Sequence, residues 1–231
     1  MDKIAIAAEG GQSFDAYVAR PSQASAGVVV VIQEIFGVNE SMRETCRKIA
    51  EMGFIAIAPD LFWRIERNVN ITDKSEAEWK KAFALFNAFD FEKGIADLKA
   101  TLAAARTLPG ANGRAGTIGY CLGGRLAFMM AEQSDSDVNI SYYGVGLDAL
   151  LGDIGKVRAP LIVHIADEDE FFPAEGREKV VAASKSNAHV SAYTYPAVMH
   201  AFAREGGVHY DARAATIANG RTAEALVAAL G

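Results

Sequence analysis

Cysteine, histidine and positive charge are all scarce in this chain. Only Cys46 and Cys121 occur among its 231 residues, far apart and in no C-x-x-C pair, which argues against a disulfide framework or a cysteine zinc site. The four histidines, His164, His189, His200 and His209, form no cluster with metal-ligand spacing, so no metal is expected. Lys and Arg number 23 against 29 Asp and Glu, a net charge of −6 with a pI near 5.3. That balance disfavours nucleic acid and anionic membranes as partners. No run of about 18 apolar residues is present to span a bilayer. The opening Met1-Asp2-Lys3-Ile4 has no basic stretch leading into an apolar core; no secretory signal is read there, and a reducing cytoplasm is expected. No G-x-G-x-x-G opens a helix after a strand, so no dinucleotide and no other cofactor is expected. Neither nucleic acid nor membrane is expected as a partner, and a monomer or weak dimer is expected.

What is present is an alternation of strands and helices. Gly27 to Ile32 is a nearly pure valine run, the mark of a strand buried on both faces, and Phe54 to Ala58 repeats the pattern. Ile4 to Ala8 and Phe14 to Ala19 read as an opening pair of strands, and Ala115 to Ile118, Val138 to Tyr142, Leu161 to Ile165 and Val190 to Thr194 as later ones. Helical periodicity covers Ser41 to Glu51, Ser75 to Phe89, Glu92 to Arg106, Arg125 to Glu132, Ala174 to Ser184 and about Tyr210 to Leu230. Such alternation implies an α/β fold, a mostly parallel central sheet with helices on both faces. With 51% hydrophobic residues and no linker, residues 1–231 are read as one domain.

One turn in this series carries chemistry. Gly119-Tyr120-Cys121-Leu122-Gly123-Gly124 lies between an apolar strand and an amphipathic helix. Glycines two before and two after a nucleophile, in that context, are the pattern of a nucleophile elbow, here with a thiol. The nucleophile occupies a strained turn, and side chains at the flanking positions would strike neighbouring backbone. The start of the next helix then offers free N–H groups and partial positive charge to a thiolate or an oxyanion.

Two later loops supply an acid and a base. Asp167-Glu168-Asp169-Glu170 follows the strand Leu161 to Ile165; most of this run reads as a solvated turn. Asp169, four residues past the strand end and four before Pro173, is the candidate to orient a histidine, with Asp167 as the fallback. His200 alone among the histidines lies on a late loop beyond a strand end. His164 reads as a packed core residue, His189 as a strand opening and His209 as a surface or capping residue at a helix start. The order Cys121, Asp169, His200 is the nucleophile, acid, base order of α/β hydrolases. Cys46, on an amphipathic helix, reads as packing.

Together these segments resemble the dienelactone hydrolase (carboxymethylenebutenolidase) family, a cysteine-dependent branch of the α/β hydrolases. The resemblance runs through Gln33-Glu34-Ile35-Phe36-Gly37-Val38-Asn39, Ala58-Pro59-Asp60-Leu61-Phe62, Gly119 to Gly124, Tyr142-Tyr143-Gly144 and His200-Ala201-Phe202-Ala203-Arg204. It implies opening of an enol-lactone ring, of the dienelactone-to-maleylacetate kind, through an acyl-thioester. It implies that Glu34 contacts the resting thiol, a role weighed against capping of the helix near Ser41. The backbone amides of Ile35 and Leu122 match the family's oxyanion hole, and Arg204 matches an arginine gripping the substrate carboxylate, which a guanidinium pairs with bidentately.

The chain also departs from the pattern. Where a second arginine and a tyrosine are usual stand Trp79 and Phe83, and Ala201 replaces a common serine. Lys80 or Lys81 is a candidate to replace the missing charge. Trp79 and Phe83, with Phe36, are candidates to line the substrate site, or else simply core. A general carboxylesterase acting on activated uncharged esters is therefore the alternative, and a non-catalytic thiol redox sensor the alternative of another class.

Overall fold

The computed structural model describes residues 2–231. Residue contacts divide the chain into two compact units, one running to Gly116 with Leu230, the other Thr117–Ala229 with Gly231.

In the first unit β1 (Asp2–Ala7) and β2 (Ser13–Ala19) form an antiparallel pair around a tight turn at Glu9–Gly11. β3 (Ala26–Ile32) and β4 (Ile55–Pro59) are parallel, β4 pairs antiparallel with β2, and the order is β1-β2-β4-β3. Every residue of β3 and β4 is buried, so both faces are covered, as their apolar runs require. Helices α1 (Glu40–Glu51) and α3 (Phe91–Arg106) pack on these strands. Between them in sequence comes α2 (Glu76–Ala88), whose N-cap Ser75 accepts the Glu78 amide while the Glu78 carboxylate accepts from the Ser75 hydroxyl and the Thr72 amide.

The loop after β3 is held in place by its neighbours. A Cβ on Gly37, at φ +78°, would lie 2.0 Å from the Val69 carbonyl oxygen. Asn39 caps α1 by accepting the Met42 amide at 3.1 Å and donates to the Ile71 carbonyl at 2.9 Å. Gln33 accepts the Leu61 amide at 3.1 Å. Glu34, Ile35 and Phe36 thus sit on a loop fixed at both ends.

In the second unit β5 (Ala111–Tyr120, begun in the first unit), β6 (Asn139–Tyr142), β7 (Leu161–Ala166) and β8 (Val190–Tyr195) are parallel neighbours in chain order. Helix α4 (Leu122–Gln133) packs on β6 and β7, α5 (Ala174–Ser184) on β8, and α6 (Ala212–Leu230) ends the chain. A 3-10 segment, Leu147–Lys156, is an element beyond those expected from the sequence. Its Leu147 and Ile154 join Phe128, Val163, Ile165, Phe172 and Val180 in the core of this unit. His164 is fully buried, as expected of a core residue, and both ring nitrogens are satisfied, Nδ1 by the Tyr195 hydroxyl at 2.9 Å and Nε2 by Thr222 at 3.1 Å. Burial, helped by the Arg221 charge, lowers its pKa to about 3, so it stays neutral.

Candidate active site

The elbow geometry follows from its glycines. Cys121 holds φ 57° and ψ −113° at the N-cap of α4, a conformation that persists only where surrounding structure enforces it. Its N–H donates to the Tyr142 carbonyl at 3.0 Å, and its carbonyl accepts the Arg125 amide at 3.1 Å. A Cβ on Gly119 would stand 1.8 Å from the Gly123 carbonyl oxygen, and one on Gly124 would stand 2.5 Å from that of Tyr142. The first-turn amides of α4, Leu122 among them, lie at a helix N-terminus, where partial positive charge favours an anion.

Of the four acidic residues after β7, only Asp169 is buried; Asp167, Glu168 and Glu170 are exposed. Burial therefore separates the two aspartates that the sequence left open. Asp169 Oδ2 lies 2.8 Å from His200 Nδ1, and its Oδ1 accepts the Phe171 amide at 2.9 Å. The loop is anchored below by the buried Phe172 ring. It is also tied by Arg177, which donates to the carbonyls of Asp167, Asp169 and Phe172. The His200 ring has edge contacts with Tyr143 and Phe171, each with centroids 5.0 Å apart, and is hydrogen-bonded to the Cys121 side chain. Burial by itself would lower the His200 pKa. The negative charge of Cys121 and the hydrogen bonds to Asp169 and Cys121 outweigh it and push the value up to about 10.

That shift sets a pH dependence. A folded-state pKa raised above the unfolded value of about 6.5 contributes stability that is complete below that value and is lost as pH rises toward about 10. Glu132, raised by burial to about 7, and His164 have finished titrating by about pH 8.5. Between about pH 8.5 and 10, once the unfolded thiol has also given up its proton, the melting temperature should therefore fall, and fall less steeply in Cys121→Ala. A melting temperature that is flat or rising over that interval would contradict the assignment.

The other candidates lie in the first unit, except Leu122 and Arg204. Glu34 is 2% exposed near the start of the loop after β3. The alternative role of capping α1 falls to Asn39 instead. Phe36 and Trp79 pack edge to face at 5.1 Å, and Trp79 stacks on Phe83 at 5.5 Å, so three separately chosen aromatics form one cluster. Phe83 at its end is 41% exposed, too open for simple core. Lys80 is exposed, and the Lys81 ammonium is 2.6 Å from Glu66 Oε1. Arg204 is half-buried, its amide donating to the Ala201 carbonyl at 2.9 Å. Cys46 is fully buried, and desolvation pushes its thiol pKa well up, leaving it inert.

Sequence reasoning missed Tyr143, Phe171, Arg177, Glu170 and the placement of His209. His209 does not start a helix: Asp211 caps α6, accepting the Ala214 amide at 2.7 Å, and His209 Nδ1 lies 3.2 Å from the His200 carbonyl. The Tyr142-Tyr143-Gly144 motif at a strand end was the available signal for Tyr143. Among the described residues no group of three His, Cys, Asp or Glu side chains is placed to hold a metal, and no helix is long and apolar enough to cross a membrane.

The dienelactone hydrolase family profile matches residues 14–230. The chain is 52% identical to the "Putative carboxymethylenebutenolidase" of Azospirillum brasilense, over 96% of each chain. It is 38% identical to the carboxymethylenebutenolidase of Pseudomonas putida, over 94% of this chain and 92% of that one. The crystal structure of the "Putative Dienelactone Hydrolase" from Klebsiella pneumoniae superposes with a TM-score of 0.84 at 26% identity, covering 98% of this chain and 99% of the other. An α/β sheet that is mostly parallel, an elbow cysteine and sequence identity over nearly the full length lead to one assignment: the chain belongs to the dienelactone hydrolase family.

Proposed function

We propose that this protein opens enol lactones through a Cys121 nucleophile, with His200 as acid-base group, Asp169 as its orienting carboxylate and an acyl-thioester intermediate. Family membership makes the chain a hydrolase of ester or lactone bonds. The observation that carries the finer reading is one histidine bonded on one side to a buried aspartate and on the other to a cysteine in a strained turn. An imidazolium held beside the sulfur favours the thiolate, the reactive form. The sulfur adds to the carbonyl carbon, and the tetrahedral oxyanion is stabilised by main-chain amides such as that of Leu122 at the start of α4. The ring C–O bond breaks as the thioester forms, and the departing enolate takes the proton of the His200 imidazolium, leaving the imidazole neutral. Water, deprotonated by His200, then releases the carboxylic acid.

An enolate is a good leaving group that needs little protonation, so enol esters suit this arrangement and amides do not. The family resemblance gives Glu34 control of the resting thiol, Ile35 a second oxyanion amide and Arg204 the substrate carboxylate. It supports reading residues 1–231 as one hydrolase domain. The Phe36, Trp79 and Phe83 cluster favours a second reading, in which activated uncharged esters are also accepted.

Trapping the intermediate tests both. Enzyme mixed with p-nitrophenyl acetate and quenched in acid during the first turnovers should gain one acetyl group, mapped by peptide mass spectrometry to Cys121. An acetyl group on any other residue overturns the mechanism. Alongside, kcat/KM for a dienelactone should exceed that for the acetate ester; the reverse order moves the substrate to uncharged esters.

A further inference from the structure

The backbone of His200 is held as deliberately as its ring. Its N–H donates to Glu170 Oε2 at 3.3 Å, and its carbonyl faces His209 Nδ1 at 3.2 Å. The second oxygen of the same carboxylate, Glu170 Oε1, is 3.6 Å from that His209 nitrogen. A carbonyl can only accept, so His209 Nδ1 carries a proton, which it shares between the His200 carbonyl and the Glu170 carboxylate. The three contacts close a ring around a single residue.

The chain needs such a hold at this point. Ala201, directly after His200, has φ +62°, and Ala197, three residues before it, has φ +56°; neither is the glycine that a left-handed conformation favours. The loop that supplies the hold is itself fixed, because Arg177 ties three of its carbonyls and Phe172 is buried in the core. Two consecutive residues of that loop then hold the same histidine twice, Asp169 at the ring and Glu170 at the main chain.

We propose that Glu170 and His209 form a clamp that positions His200, setting the direction of its imidazole toward Cys121 without touching substrate. The proposal rests on His200 being the catalytic acid-base group. Proton transfer and attack depend on placement to within a fraction of an ångström, so the loss belongs in kcat and not in KM. The clamp is held by partly exposed side chains, about one-third accessible on each partner, so its removal leaves the core intact.

The test is steady-state hydrolysis of p-nitrophenyl acetate, with melting temperatures, for five variants. Glu170→Ala and His209→Ala should each lower kcat about tenfold with KM within about twofold of wild type. The double variant should lose no more than either single one, because each breaks the same ring. His209→Asn places an amide nitrogen where Nδ1 stood, and should restore most of kcat, whereas a packing role would leave it as poor as alanine. Unchanged kcat in both alanine variants, with Cys121→Ala inactive, overturns the clamp alone. A rise in KM at constant kcat also overturns it. Full activity in Cys121→Ala overturns the catalytic reading beneath it.

Discussion

Cys121→Ala is expected to lose at least about ten-thousandfold in kcat/KM toward any activated ester, the size of loss seen when a covalent nucleophile is deleted. The expectation comes from the absence of a substitute. His200 is 5% exposed and Asp169 6% exposed; the first has its Nδ1 committed to the second, and neither is placed as an alternative nucleophile. The only other thiol, Cys46, is buried and held protonated. What survives in the variant is the oxyanion stabilisation at the start of α4, which gives a small residual rate over water but no acyl-enzyme. The same substitution removes the charge that contributes most to the raised His200 pKa, so loss of activity and a shallower fall of melting temperature with pH should appear together. Residual kcat/KM above about one-hundredth of wild type, confirmed free of contaminating esterase by an inactive Cys121→Ala/His200→Ala double variant, would remove Cys121 from the mechanism.

Why some of this was legible in the sequence and some was not has a physical basis. The elbow is a local constraint: Gly119 and Cys121 are two residues apart, and the glycine is needed because the following turn folds back on it. Buried parallel strands likewise announce themselves, since both faces demand apolar side chains, and α5 has the bounds its periodicity implies. Choosing Asp169 over Asp167 from spacing alone agreed with burial, yet the decisive fact, that one carboxylate turns inward while its three neighbours face water, is tertiary. Arg177 was invisible for a stronger reason. It acts on backbone carbonyls, which every sequence provides equally. His209 was misplaced because Asp211, two residues later, is the cap of α6, and the His209 ring has as its partner a main-chain oxygen nine residues earlier. The Leu147–Lys156 segment carries Leu147, Leu150, Leu151 and Ile154 at helical spacing, but it is short, is interrupted by Gly152 and Gly155, and winds as a 3-10 helix.

Gly119→Ala should be the most damaging single-methyl substitution near the site. The added Cβ meets the Gly123 oxygen at 1.8 Å, its carbonyl carbon at 2.2 Å and the Gly124 nitrogen at 2.9 Å. All three are backbone atoms in the first turn of α4, so no side chain can swing away. Relief requires moving either β5 or the start of α4, and Cys121 lies between them. A cost of about 3 kcal/mol or more follows, about 6–12 °C in melting temperature for a chain of this size. Gly113→Ala is the control on the same strand. There φ is +89° but nothing lies within 4 Å, so the penalty is conformational alone, about 1–2 kcal/mol. If Gly119→Ala folds at all, kcat should fall well beyond what its stability explains, because the sulfur and the α4 amides no longer share one geometry. Equal melting temperatures for the two variants, with activity retained in Gly119→Ala, would mean that the turn yields freely. The strained conformation of Cys121 would then not be what aims the thiol.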